Sequence, residues 1–185
     1  IPISRLSAAA RRLDEASRLL GRLPVLWRFA EAVPSRLRSE KVFALLEPGS
    51  SICNGDVTIR FAEAPECESM AGLVAATARD ERIRHVRDAA YLDWRFRNPL
   101  HSYRFVFGYR ADELVGYLVL QRGRSAYANA RRINLADWAA QSDSILRSLL
   151  ESTIAFSSAP ELVVWSATLS FDERRVFADL GFAPT

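Results

Sequence analysis

Residues 103–120 place the tightest constraint on what this chain can fold into. Tyr103, Phe105, Phe107 and Tyr109 alternate with Arg104, Val106, Gly108 and Arg110, and a period of two marks a strand with one apolar face. The polar turn Arg110-Ala111-Asp112-Glu113 leads into the run 114–120, which is almost unbroken in apolar residues. Such a run predicts a strand covered on both sides, as in the middle of a sheet. The two strands read as one hairpin. Ahead of them, residues 86–96 have helical composition, and Asn98-Pro99 ends that helix because proline disfavours α geometry in the residue before it.

The remaining elements follow in order. A strand is expected over 57–61, and a helix over 66–78 with Met70, Leu73 and Val74 inward. A further strand is expected over 127–136, then a strongly apolar helix over 142–156 through Ile145, Leu146, Leu149, Leu150 and Ile154. A short β-rich run, 162–167, follows Pro160, and the last helix covers 170–180. Ser170 with Glu173 forms a capping box there, and Gly181-Phe182 fits a glycine C-cap with its hydrophobic contact. The order is β-α-α-β-β-β-α-β-α. Before it, residues 4–46 contain three helical stretches, the first with an apolar stripe of Leu6, Leu13, Ala16 and Leu20. Glu47 to Gly55 is rich in Pro, Gly and Ser and reads as a linker. The predicted organisation is a helical connector and linker over 1–55 and an α/β (α+β) domain over 56–185.

Charge separates the same two parts. Residues 1–41 carry nine basic and four acidic side chains, a balance of +5 in a chain whose net charge is +3, so the remainder stands at −2. The basic arm fits a solvated helix face, or one that pairs with an acidic partner. Aromatics are not interleaved with its arginines, so a nucleic-acid surface is not favoured. No apolar run approaches the roughly 18 residues of a membrane span. Cys53 and Cys67 match no metal or redox spacing, and two thiols in 185 residues suggest a reducing, cytoplasmic setting. His85 and His101 each stand without a carboxylate or cysteine partner in sequence, so no metal site is proposed.

A hairpin ending in Leu114-Val115-Gly116-Tyr117, then strand, helix, strand, and a helix closed by Leu180-Gly181-Phe182, resembles the GCN5-related N-acetyltransferase superfamily over about residues 57–182. More narrowly, the stretch 87–96 with Asn98-Pro99 looks like the second half of bacterial proteins built from two such domains in tandem. In those proteins a helical connector precedes the second domain, and residues 4–46 resemble it. The resemblance implies an acyl-CoA N-acyltransferase-like mixed sheet flanked by helices, with an N-terminal helical extension. It implies transfer of an acetyl or other acyl group from acetyl-CoA or another acyl-CoA to a small amine or amino sugar. It also implies a second domain or a homodimer partner. The alternative is a non-catalytic copy that binds a ligand, a partner or a second subunit.

The resemblance also indicates where a site would lie. The superfamily seats the coenzyme A pyrophosphate on backbone N–H groups at the start of the helix after its fourth strand, in a glycine-containing loop. Here that loop aligns with 141–146, which makes Gln141, Ser142 and Ser144 the cofactor-binding candidates. Gln141 matches the pattern, both glycine positions do not, and Asp143 and Asp137 would repel a pyrophosphate. Ser142 or Asp143 serves equally well as the cap of a core helix. Asp137, expected at the end of the preceding strand, is the candidate catalytic base, its structural alternative being a loop-capping aspartate. Phe177 stands where the superfamily often carries an acidic tyrosine. Trp94 and Arg95 suit an acceptor groove, although helical periodicity favours a core place for Trp94. In the superfamily, a further pair of strands follows the Gly-Phe helix, so the edge beside 162–165 is expected to be covered by more chain, by a second subunit or by the arm.

Overall fold

A computed structural model describes residues 48–78, 86–122, 132–157, 159 and 161–183. The helical stretches expected within 4–46, His85, Pro160 and the first part of the strand expected from 127 lie outside the described residues. Within them the chain forms strands β1 (Ser51–Asn54) and β2 (Val57–Ala62), helices α1 (Cys67–Thr77) and α2 (Ala89–Phe96), and strands β3 (Tyr103–Arg110), β4 (Glu113–Arg122) and β5 (Arg132–Ala140). Helix α3 (Asp143–Phe156), strand β6 (Glu161–Val163), a 3-10 turn (Ser166–Thr168) and helix α4 (Phe171–Asp179) complete it.

The six strands lie in one sheet in chain order, β1-β2-β3-β4-β5-β6. Neighbours are antiparallel except the last pair, β5 and β6, which is parallel. Strand β1 corrects the expectation of a linker up to Gly55. Asn54 and Val57 pair across a two-residue turn, where Gly55 takes φ +66, a conformation open to glycine at little cost. Pro, Gly and Ser content signalled the turn and concealed the strand.

Two hydrophobic layers cover the sheet. On one face Val57, Ile59 and Phe61 of β2 join Val106, Leu118 and Leu120 beneath Ile145, Leu146, Leu149 and Leu150 of α3 and Val176 and Phe177 of α4. On the other, Phe105, Phe107, Tyr117 and Val119 meet Met70 and Leu73 of α1 and Leu92 and Phe96 of α2. Strand β4 is buried from Leu114 to Leu120, as its apolar run predicts. Strand β3 departs from the single apolar face expected of it, because Phe105, Val106, Phe107 and Gly108 are all buried. Its alternation of aromatic and small residues reflects two different covers: α1 and α2 over the rings, and α3 over the small residues.

The glycines of the hairpin set how closely α3 approaches. Gly108 and Gly116 are cross-strand partners. A Cβ on Gly116 would stand 2.7 Å from Ile145 Cγ2 and 2.8 Å from Leu149 Cδ1, and one on Gly108 would stand 3.2 Å from Leu149 Cδ2. Two adjacent positions without side chains thus admit the middle of the helix. Ile154, expected on the buried stripe, is 40% exposed near the end of α3.

The capping box of α4 forms as the sequence predicts: Glu173 N donates to Ser170 Oγ, and Ser170 N donates to Glu173 Oε2 at 2.7 Å. Gly181 takes φ +89, and Phe182 packs edge-on against Phe177 with ring centroids 4.9 Å apart. No described helix is long and apolar enough to cross a membrane.

Candidate functional site

Strand β5 runs further than expected, to Ala140, and two irregularities make it the centre of the site. Val119 pairs with Asp137 while Leu120 pairs with Leu135, so Ala136 is an extra residue opposite β4. Such a bulge re-aims the side chains that follow it. Asp137 and Ala139 then share a face with α1 and α2, whereas Trp138 and Ala140 turn to the α3 and α4 side. Secondly, β6 pairs with β5 only from Arg132↔Glu161 to Asn134↔Val163. Beyond that point β6 has ended, and β5 continues for six residues with no strand on that flank among the described residues.

Side chains occupy the flank left open. Arg95 Nη2 donates to the carbonyl of Ala136 at 2.9 Å, and Arg87 Nη1 donates to the carbonyl of Trp138 at 3.1 Å. Trp138 N–H donates to Asp137 Oδ1 at 2.8 Å. Asp137 Oδ1 also pairs with Arg87, and Arg95 Nη1 lies 3.8 Å from Asp137 Oδ2. Asp137 is only 5% exposed. A carboxylate this deep needs such partners, since desolvation of an unpaired charge costs several kcal/mol, roughly. This corrects the alternative of a loop-capping aspartate. It lies inside a strand, where it caps no loop, and it has charged partners from residues about α2.

Helix α2 brings those partners in. Asp88 caps its first turn by accepting from Tyr91 N at 2.8 Å. Leu92 and Phe96, four apart, are buried against the sheet. Arg95, adjacent to that stripe, reaches β5 and also donates to Tyr91 Oη at 3.1 Å. Trp94 points the other way and is 74% exposed. The periodicity that favoured a core place for it is overruled, because the eight-residue helix buries only Leu92 and Phe96.

Tyr117 lies one strand inward of Asp137 on the same face. It is fully buried, and its hydroxyl has no hydrogen-bond partner among the described residues. Asp137 Oδ2 likewise lacks a hydrogen bond. Burial, and then the Asp137 charge, push the Tyr117 phenol well above its ordinary pKa, so it keeps its proton.

The cofactor candidates gather at the end of β5. Gln141 Nε2 donates to Glu113 Oε1 at 3.0 Å, and Gln141 N donates to the carbonyl of Val115. Ser142 caps α3, accepting from Ile145 N, and its hydroxyl lies 2.8 Å from that of Ser144. The capping role weighed for Ser142 is thus the one it plays. Leu146, at the second missing glycine position, is 2% exposed and belongs to the core under α3. Phe177 is also core. It packs edge-on against Trp138, whose indole N–H donates to Glu173 Oε1 at 2.7 Å. Arg87 and Trp138 were not singled out as site residues from the sequence, and Glu173 only as half of the capping box. Arg87 and Asp137 are 50 positions apart, and a single sequence carries no signal that joins them.

The mixed sheet, whose chain crosses over through α3 into one parallel strand, has the GCN5-related N-acetyltransferase fold. Two solved structures with this fold are similar to the chain. A ribosomal-protein-alanine N-acetyltransferase from Brucella melitensis biovar Abortus 2308 matches with a TM-score of 0.53 and 15% identity, over 70% of this chain and 94% of that one. A ribosomal-protein-S5-alanine acetyltransferase from Vibrio fischeri matches with a TM-score of 0.50 and 13% identity, over 72% and 83%. No protein-family model matches the sequence, and no curated protein matches it.

Proposed function

We propose that the chain is an N-acyltransferase-like domain that takes an acyl group, acetyl in the simplest case, from a coenzyme A thioester to a small amine. The observation that carries this reading is the flank of β5 beyond Asn134, which has no strand beside it among the described residues. The arm of an acyl-CoA is an extended chain of amides, and the flank of a strand with no neighbour is where an extended chain docks. Beside that flank, the Tyr117 hydroxyl and Asp137 Oδ2 lie inside the protein without hydrogen bonds among the described residues, and a reacting group would give them partners. The first turn of α3 offers N–H groups and the Ser142 and Ser144 hydroxyls to the cofactor's diphosphate. That turn also carries Asp143 and has no glycine, which oppose the diphosphate's charge and its close approach.

Different atoms favour a second reading, a non-catalytic copy of the fold. Arg87 and Arg95 already satisfy carbonyls on the flank, Glu173 holds the Trp138 indole, and Phe177 has no proton to give. In that reading the groove holds a ligand, a second acyltransferase domain or another copy of the chain. Calorimetric titration of the full chain with acetyl-CoA separates the two. Saturable binding in the micromolar range is expected for the acyltransferase, and no heat at millimolar concentration removes the donor and leaves the second reading.

A further inference from the structure

Between the C-terminal end of α2 and the start of β3 lies a cleft of about 480 Å³, a volume ordinary for a small-molecule site. Trp94, Arg95, Arg97, Asn98, His101 and Tyr103 line it. We propose that this cleft binds the anionic group, carboxylate or phosphate, of a small ligand with a flat apolar body. On the acyl-transfer reading, and resting on it for this role alone, the ligand is the amine acceptor.

The lining converges on donors. Arg97 pairs with Asp93 through Nε, at 2.8 Å, which leaves both terminal nitrogens outside that contact, and its side chain is 77% exposed. Arg95 also lines the cleft, with its guanidinium held by Ala136 and Tyr91. His101 Nδ1 is buried and has no hydrogen-bond partner among the described residues. Burial raises the Tyr103 phenol above its ordinary pKa, so its hydroxyl keeps a proton to donate. No carboxylate lines the cleft, and the nearest on α2, Asp93, is taken by Arg97. A guanidinium with its terminal nitrogens outside its ion pair, an imidazole and a phenol, around one space that no carboxylate lines, select for an anion, since guanidinium forks match carboxylate and phosphate oxygens.

The flat body is assigned from Trp94. An indole 74% exposed at the mouth of a cationic cleft is a stacking surface awaiting a partner. Position also points to the β5 site. Arg95 lines the cleft with one part of its side chain and holds Ala136 at the bulge with another, so a ligand anchored there has Asp137 beyond the guanidinium.

The test is calorimetry of the full chain with benzoate and phenyl phosphate, with benzyl alcohol as the uncharged match. Saturable binding of at least one anion is expected, at least tenfold tighter than the alcohol. Arg97→Gln and His101→Ala, each checked for fold by circular dichroism, should weaken it by about tenfold, the worth of one charge-assisted hydrogen bond. The ratio of the two anions assigns carboxylate or phosphate. No saturable binding of either anion, or unchanged affinity in both variants, overturns the proposal. Acetyl-CoA titration is a separate readout: anion binding without acetyl-CoA binding upholds the cleft and removes its acceptor role. Acetyl-CoA binding without anion binding overturns the cleft and leaves the donor reading standing.

Discussion

Tyr117 shows what one buried hydroxyl costs. It is fully enclosed, and its oxygen meets no hydrogen-bond partner among the described residues; a buried polar group left unmatched costs about 1–3 kcal/mol. Tyr117→Phe should therefore stabilise the folded chain by about 1 kcal/mol in urea unfolding at neutral pH, with a loss of stability instead marking a hidden partner for the hydroxyl. The same substitution should change the alkaline limb. The folded phenol holds its proton past the ordinary value of 10.0, so this group's stabilising contribution is complete below that value and falls as pH rises through it. The decline above pH 10 should be shallower in the variant, as thermal melts across pH 9 to 11 would record. Legibility at this scale was uneven. Asp137 was visible as a lone acid near a strand end, but the two arginines that define its chemistry come from around a helix far back in the chain, and burial alone separates Tyr117 from the other tyrosines of the stretch.

Elements were read best where one pattern sufficed. The unbroken run 114–120 identified β4 as central because only a strand covered on both faces can be apolar throughout. Ser170 and Glu173 located α4 to a residue. Strand β5 was ended four residues short because the bulge at Ala136 breaks the period on which a strand is recognised, and β1 was missed because it has only four residues, half of them polar, next to Gly55. The Gly108/Gly116 pair yields a prediction about α3. A methyl group on Gly116 would stand 2.7 Å from Ile145 and 2.8 Å from Leu149, closer than packed atoms approach, and overfilling a core costs about 1–3 kcal/mol. Gly116→Ala should lower the urea midpoint by a corresponding amount with the slope unchanged. A midpoint equal to the parent would mean that α3 can move outward freely.

For the molecule as a whole, stability should be lowest at the β5–β6 junction. Strand β6 has three residues, each paired on one side only among the described residues, while β3 and β4 lie in the interior of the sheet. Hydrogen exchange followed by mass spectrometry should show peptides over 161–170 exchanging well before those over 113–120, because short, half-exposed elements open at lower free energy than the central strands. Equal protection would mean that β6 is held as firmly as the core. The strand order carries one more consequence. Because strands neighbour one another in the order in which they are made, most contacts in the sheet link stretches close along the chain, and closing them costs little chain entropy. The steps from β2 to β3, through α1 and α2, and from β5 to β6, through α3, each require a wide loop. A nascent chain can thus lay down β3 to β5 as successive antiparallel neighbours as each emerges, and β5 gains its parallel neighbour only when the last third of the domain has been made.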